Sequence, residues 1–550
     1  MRSANDKINE PINNQVSAAP QKLISNAVKA MRMNDFQKAV TITEEIIAAE
    51  PDHPGAHAVQ FSSLFKARRF EEARQIGGKA AELNPKSVFI LNNQACLQLE
   101  AKQPAAAATL LKSLVDQFGE RSQWLYNLAL AQRMVGNFDY SIAIFKRTLD
   151  HQPDHDRAAF QLAECLNLMG FKEDALQALD YVRLLRNKHA PSHSNFIHHS
   201  VANNQLSKLG LKQELRLWEE RFIPQENRYP NSQIEQADKL RIGFLIGVVP
   251  SNWLEASIAP LINHMASGGD QIVVYWHDEK QRTDLFSKQV NVVYSPGFSD
   301  ADFARQVRAD HIDIMVDVCG MRRGSRQRAL GLQLASKVVG WLAHEGLYAT
   351  PLVTPLEGKL GLRRFFVSKG LQPKTSPMPA NTLCAVGCRY GLSHNVISVW
   401  AEILHELPEW NLHFDSNSAL INAPLIQRFI TLGIEQDRLL FDHKLAINKG
   451  TIVLDNFIEN DPIAASNAIG NGGILVALEG ELFPARQNSA LLEQLGRPEW
   501  IAANQSDYIN RVIALADGAQ IEPIDEQSFN QSGIRDLAGF SKIFKEALLC

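Results

Sequence analysis

The sequence predicts an α-solenoid of tetratricopeptide repeats followed by a parallel α/β region. Two observations carry this. Small and large apolar residues recur every 34 positions up to about residue 187, and from residue 240 onward apolar strands alternate with glycine turns and helical stretches. The most telling α/β stretch is 309–346. Ile312 to Val318 ends in Cys319-Gly320, passes a basic loop and a short helical stretch, and meets a second apolar run, Val338 to Leu342, that closes at Gly346. Strand, glycine turn, helix, strand is a parallel unit, because parallel strands need a crossover. Ligands of such sheets sit beyond the carboxyl ends of the strands, so residues 320–326 and 343–346 face a candidate cleft.

Taken in order, residues 1–22 are rich in Asn, Gln and Ser with little to bury, and predict a disordered amino terminus. Residues 23–187 are the repeat array. Turn formers fall at Pro51, Pro85, Gly119 and Pro153, and one small-residue register runs Ala39, Ala73, Ala107, Ser141, Ala175. A second runs Ala27, Phe61, Ala95, Ala129, Ala163, and a third holds Phe36, Phe70, Pro104 and Phe138. Small residues let paired helices approach, and large ones fill the grooves between repeats. Residues 188–239 read as a helical linker, amphipathic to Ile223 and then proline-rich and polar over 224–239. Its cluster His193, His198 and His199 invites a metal, but adjacent histidines on a helix face different directions and no third ligand is placed, so a surface or packing role is expected instead.

Composition excludes several functions. Lys and Arg total 56 against 60 Asp and Glu, a formal charge of −4 without a basic tract, so no nucleic-acid partner is expected. There is no apolar signal core and no run long enough to cross a bilayer, so a cytoplasmic protein without a membrane partner is expected. The six cysteines are scattered, only Cys384 and Cys388 lying close, and none has finger-like spacing. No metal or resident cofactor is expected.

The 309–346 stretch resembles the O-GlcNAc transferase and SPINDLY family of protein glycosyltransferases, where a strand of the type IDILVDL leads into G-[HY]-T-x-G-x-R and then P-x-Q-x-x-W-L-G-Y-P-G. Gly320, Gly324, Arg326, Trp341, Leu342 and Gly346 keep those places without a gap, while Arg322 replaces the threonine and Ala343-His344-Glu345 replaces G-Y-P. Further on, the helix at Asn395 to Leu407 resembles the family's SPEVLALWARILRAVP, and Val453 to Gly480 resembles, without a gap, the family's A-L-D-T-F-P-Y-N-G-T-T-T-T-x-E-A-L-W-x-G-V-P-V-V-T-x-x-G segment. The resemblance covers about residues 24–545. It implies a GT-B fold after the repeats, with Rossmann-like halves at 240–380 and 381–550 and a cleft between them.

It also implies transfer of a sugar from a nucleotide-sugar co-substrate to Ser or Thr of a protein client docked on the repeats. The departures cluster at the implied donor site. Asn252 stands where the family has an active-site histidine, and Asn takes up no proton near neutral pH. Gly391 replaces a phosphate-binding lysine, with Arg389 two places away, and Pro462-Ile463-Ala464-Ala465 replaces the hydroxyl-bearing run at a diphosphate-binding helix start. The implied donor-binding set is Arg322, Arg326, Arg389, Asn460, Asn467 and Arg486, with His344 and Glu345 as candidates for proton handling. Asn93 and Asn127 hold the repeat position that grips client backbone in the family, since Asn both donates and accepts; alternatively they are solvated residues of exposed helices. Two functions follow: a protein O-glycosyltransferase with an altered donor site, or an inactive pseudo-glycosyltransferase serving as a scaffold or regulatory subunit.

Overall fold

A computed structural model describes residues 18–203, 205–223, 240–278, 282–322, 324–332, 334–342, 354–355, 367, 376–388, 392–414, 419–442 and 445–549. His344, Glu345, Arg389 and Gly391 lie outside these residues, as do the segments 1–17 and 224–239. The chain divides into two compact units, one ending at Cys165 and one beginning at Leu166.

The first unit is built of helical pairs: α1 (Ala18–Arg32), α2 (Phe36–Ala49), α3 (Pro54–Lys66), α4 (Phe70–Leu83), α5 (Val88–Glu100), α6 (Pro104–Phe118), α7 (Ser122–Val135) and α8 (Phe138–His151), with α9 (Asp156–Met169) spanning the boundary. The 34-residue registers are the buried ones. Ala39, Ala73, Ala107, Ser141, Ala27, Phe61, Ala95 and Ala129 are all fully enclosed. A Cβ added at Gly77 would stand 3.0 Å from the Phe61 ring, which shows how closely the helices pack. The turn between paired helices repeats as well. Asn34, Arg68, Lys102, Gly136 and Gly170 occupy one 34-residue register, and all have positive φ, from 58° at Lys102 to 96° at Gly136.

The second unit opens with α10 (Lys172–Leu185), α11 (Ala190–Ala202) and α12 (Lys208–Phe222), so helix pairing continues past Asn187. His193 is buried, with Nε2 2.8 Å from Glu214 Oε2, and Arg183 Nη1 is 3.2 Å from the same oxygen. That cluster ties α10, α11 and α12 together. Among the described residues no group of three or more His, Cys, Asp or Glu is placed to hold a metal ion, and no helix is long and apolar enough to cross a membrane.

Two six-stranded parallel sheets follow. The first contains β1 (Arg241–Ile246), β2 (Gln271–Trp276), β3 (Asn291–Tyr294), β4 (Ile314–Asp317), β5 (Lys337–Gly340) and β6 (Thr354–Pro355), in the order β3-β2-β1-β4-β5-β6. β7 (Ser376–Pro377) pairs with β11 (Leu445–Ala446) in a separate ribbon. The second sheet contains β8 (Thr382–Val386), β9 (Asn411–Phe414), β10 (Leu439–Phe441), β12 (Ile452–Asp455), β13 (Ile474–Leu478) and β14 (Ile501–Ala502), in the order β10-β9-β8-β12-β13-β14. Both sheets therefore have the doubly wound order 3-2-1-4-5-6, whose switch point lies between its first and fourth strands. The implied pair of Rossmann-like halves is present, with switch points at β1/β4 and β8/β12. The central strands are buried except for Arg241 at the start of β1, and are largely apolar, as parallel strands covered on both faces must be.

The last helix, Leu537–Leu549, returns to the first lobe. Phe544 meets Trp341 edge-on at 4.9 Å between ring centroids, Lys545 pairs with the buried Asp270 at 2.8 Å, and Lys337 Nζ donates to Leu548 O at 2.8 Å. The lobes are thereby joined by packing as well as by chain.

Candidate functional site

At the first switch point, β4 ends in Asp317. Its carboxylate accepts from the backbone N–H of Cys319 (2.9 Å) and Gly320 (3.2 Å) and from Gln327 Nε2 (2.7 Å). Complete burial pushes this carboxyl up to about 6 despite those bonds. Asp317 thus shapes the glycine turn that the sequence marks. A Cβ on Gly247 would fall 2.7 Å from the Gly324 carbonyl oxygen, so the loops after β1 and β4 touch backbone to backbone, and Gly324 itself has φ +82°.

Arg322 lies on this floor. Its guanidinium stands 5.6 Å from the Trp253 ring centroid, and its Nη1 donates to Leu342 O at 3.2 Å. Arg326 points elsewhere. It is 7% exposed, and its guanidinium donates to Asp300 Oδ1 (3.2 Å), Ser295 O (3.0 Å) and Phe298 O (2.6 Å), beside the Phe303 ring. Here Arg326 staples the loop after β3 to the helix Asp300–Ala309. Burial, reinforced by this arginine, holds His277 below the usual histidine range.

At the second switch point, β12 ends in Asp455, which is fully buried. Its Oδ1 accepts from Asn488 Nδ2 (2.7 Å) and Asn460 Nδ2 (3.0 Å), and burial pushes the carboxyl up to about 7. Asn460 also receives the backbone N–H of Asn488 on its own Oδ1, at 3.0 Å. Asn467 is buried on the helix Pro462–Gly470 and donates to Ile463 O at 2.8 Å. Arg486 sits at the rim, half exposed, paired with Glu479 at 2.7 Å. The structure thus places Arg322 and Asn460 at the two switch points, and Arg326 and Arg486 in ion pairs of their own lobes.

Asp461 is the site residue that the sequence reading passes over. It is the N-cap of the helix Pro462–Gly470: Oδ1 accepts from the N–H of Ala464 at 3.1 Å, and Pro462 fills the first helical position, where no N–H is needed. The same carboxylate reaches across to the first lobe. Asn252 Nδ2 donates to its oxygens at 3.0 and 3.2 Å, and Trp253 Nε1 donates to Oδ1 at 3.1 Å. All three residues are buried. A helix amino terminus attracts an anion, and here the anion is the chain's own carboxylate. The Asp-Pro pair ahead of an apolar helical run is a sequence signal for such a cap.

In the repeats, Asn93 and Asn127 are both buried, not solvated. Asn127 Nδ2 donates to Asn92 Oδ1 at 3.2 Å and lies 3.3 Å from Cys96 Sγ, whereas Asn93 Nδ2 is enclosed without a hydrogen-bond partner.

No protein-family model matches the chain. Its sequence is similar to the probable UDP-N-acetylglucosamine–peptide N-acetylglucosaminyltransferase SPINDLY of Solanum lycopersicum, 23% identical over 354 residues, which is 55% of this chain and 37% of that protein. The corresponding protein of Oryza sativa subsp. japonica is 23% identical over 377 residues, 59% of this chain and 40% of its own length. The match therefore spans less than half of either relative. Among solved structures, a mutant O-GlcNAc transferase of Thermobaculum terrenum superposes with a TM-score of 0.66 at 18% identity, covering 84% of this chain and 98% of that one. Repeats and twin doubly wound sheets make the chain a tetratricopeptide array followed by a GT-B fold, similar in sequence to the SPINDLY-type proteins and in fold to the O-GlcNAc transferase.

Proposed function

We propose that this protein is a pseudo-glycosyltransferase, a scaffold or regulatory subunit that docks a protein client on its repeats and transfers no sugar. The observation that carries this reading is Asp461 at the start of the Pro462–Gly470 helix. A donor phosphate directed to that helix start would stand beside a fixed carboxylate. At about 4 Å and an effective dielectric near 20, two like charges repel by roughly 4 kcal/mol, close to a thousandfold in affinity. Pro462 removes one amide and Ile463, Ala464 and Ala465 supply no hydroxyls, so little is available to offset that repulsion. Arg326 and Arg486 are already held by Asp300 and Glu479. Asn252 donates to Asp461, and its amide has no proton-accepting role near neutral pH.

The rival reading, a transferase with a rebuilt donor site, draws on the intact strand order of both sheets and on relatives whose names are those of N-acetylglucosaminyltransferases. A thermal-shift panel of UDP-, GDP-, CMP- and dTDP-sugars on the full chain separates the two. At millimolar ligand, a binder with a micromolar Kd stabilises by about 3–4 kcal/mol, enough to move a melting transition visibly. The proposal predicts no shift with any donor. A clear stabilisation by one of them overturns it.

A further inference from the structure

We infer that Asn252 and Trp253 of the first lobe and Asp461 of the second form a latch that holds the carboxyl ends of the two sheets against each other when no ligand is bound. Three side-chain contacts between 3.0 and 3.2 Å converge on one buried carboxylate from the opposite lobe. Charge-assisted bonds shielded from water are the stronger kind, so this is more than a passing surface contact.

The parts behind the latch fit that role. Arg322 stands over the Trp253 ring and is itself tied to Leu342 O, which helps to hold the indole in place. Asn252 and Trp253 lie on the first turn, Ser251–Trp253, of a helical segment that widens into a π turn at Leu254–Ile258 before continuing as Ala259–Ser267. Pro260 explains the widening, because it has no N–H and its ring would collide with the carbonyl four residues back. The two latch donors therefore ride on a turn set apart from the rest of their helix. Release requires that this one turn move, while β1 and the longer helix stay in place.

The inference uses the same site as the proposed function but makes a separate claim. A donor that stabilises the wild type would defeat the non-catalytic reading and leave the latch to its own measurement. Hydrogen–deuterium exchange on the full chain without ligand tests it. Asn252→Ala with Trp253→Phe removes both donors and leaves the Asp461 cap intact. It is expected to speed exchange about tenfold or more in peptides covering 251–258 and 459–466, with β1 and β12 unchanged. Rates within twofold of wild type in those peptides overturn the latch. If the double variant does not fold, Asn252→Asp keeps the size and faces Asp461 with a second carboxylate. The same peptides must then exchange faster at low salt than at 1 M salt, where the repulsion is screened; salt-independent, wild-type rates overturn the inference.

Discussion

Asn252 Nδ2 lies 3.0 Å from Asp461 Oδ2, which links the helical turn that follows β1 to the amino terminus of a helix in the other lobe. The same carboxylate caps that helix, so it serves a lobe and an interface together. Asp461→Ala removes the cap and the acceptor that Asn252 Nδ2 and Trp253 Nε1 share, and is expected to cost about 2–4 kcal/mol. Asp461→Asn keeps an acceptor for Ala464 N–H and should cost about 1 kcal/mol or less. Urea unfolding followed by tryptophan fluorescence checks the order of the two variants.

The repeat turns give a prediction of opposite sign. Arg68 and Lys102 hold φ of 59° and 58° at a register where Gly136 and Gly170 also occur. A left-handed conformation costs a side-chain residue about 1–2 kcal/mol, partly offset by the entropy that glycine loses on folding. Arg68→Gly and Lys102→Gly are therefore expected to stabilise the array by about 0.5–1 kcal/mol each, and Gly136→Ala to destabilise it by about 1 kcal/mol. Thermal melts by circular dichroism read all three.

Asp455 makes stability depend on pH. Its carboxyl is raised from the ordinary value of 3.8 to about 7 by burial, so the folded state holds a proton that the unfolded chain gives up. The stabilisation is fully present below about pH 4 and is lost as pH rises through 7, by up to about 4 kcal/mol. Asp455→Asn mimics the protonated form. Its melting temperature is expected to match wild type below about pH 4, to exceed it increasingly up to about pH 7, and to keep a constant lead above that. Asp317, raised to about 6, adds a smaller decline of the same sign that both proteins share.

Arg326 is expected to behave as a structural residue. Arg326→Ala takes the guanidinium donor from Phe298 O, Ser295 O and Asp300, of which Ser295 O keeps His277 Nδ1 at 2.9 Å and Asp300 keeps Arg328 at 3.8 Å, and should cost about 2–3 kcal/mol, while Arg326→Lys recovers only part, because an ammonium cannot span the three acceptors of the guanidinium fork. His277 loses the neighbouring positive charge in Arg326→Ala, so its titration moves upward, visible by NMR.

The fold was largely legible because it is written in period and spacing. Ala39, Ala73 and Ala107 stand 34 residues apart, and burial at each is the only way paired helices can touch. Ile312 to Val318 reads as a buried strand because every residue of β4 is enclosed. The site was less legible, because side-chain partners distant in sequence decide it. Arg326 looks like a ligand arginine in its motif, yet its partners at Ser295, Phe298 and Asp300 lie on the preceding loop and helix start. Asn252 looks like a lost base, and only the fold brings it to Asp461, 209 positions away. The asparagines of the repeats show the same limit: register places Asn93 and Asn127 alike, but only Asn127 finds Asn92 as a partner for its amide.

The most direct measurement is transfer itself. The full chain, co-purified with a protein that its repeats retain, is incubated with millimolar UDP-, GDP-, CMP- and dTDP-sugars, and the bound protein is weighed by intact mass spectrometry. With Asp461 seated at the start of the Pro462 helix, the mass is predicted to stay unchanged for every donor. A gain of one sugar residue on Ser or Thr, absent when donor is omitted, would contradict it.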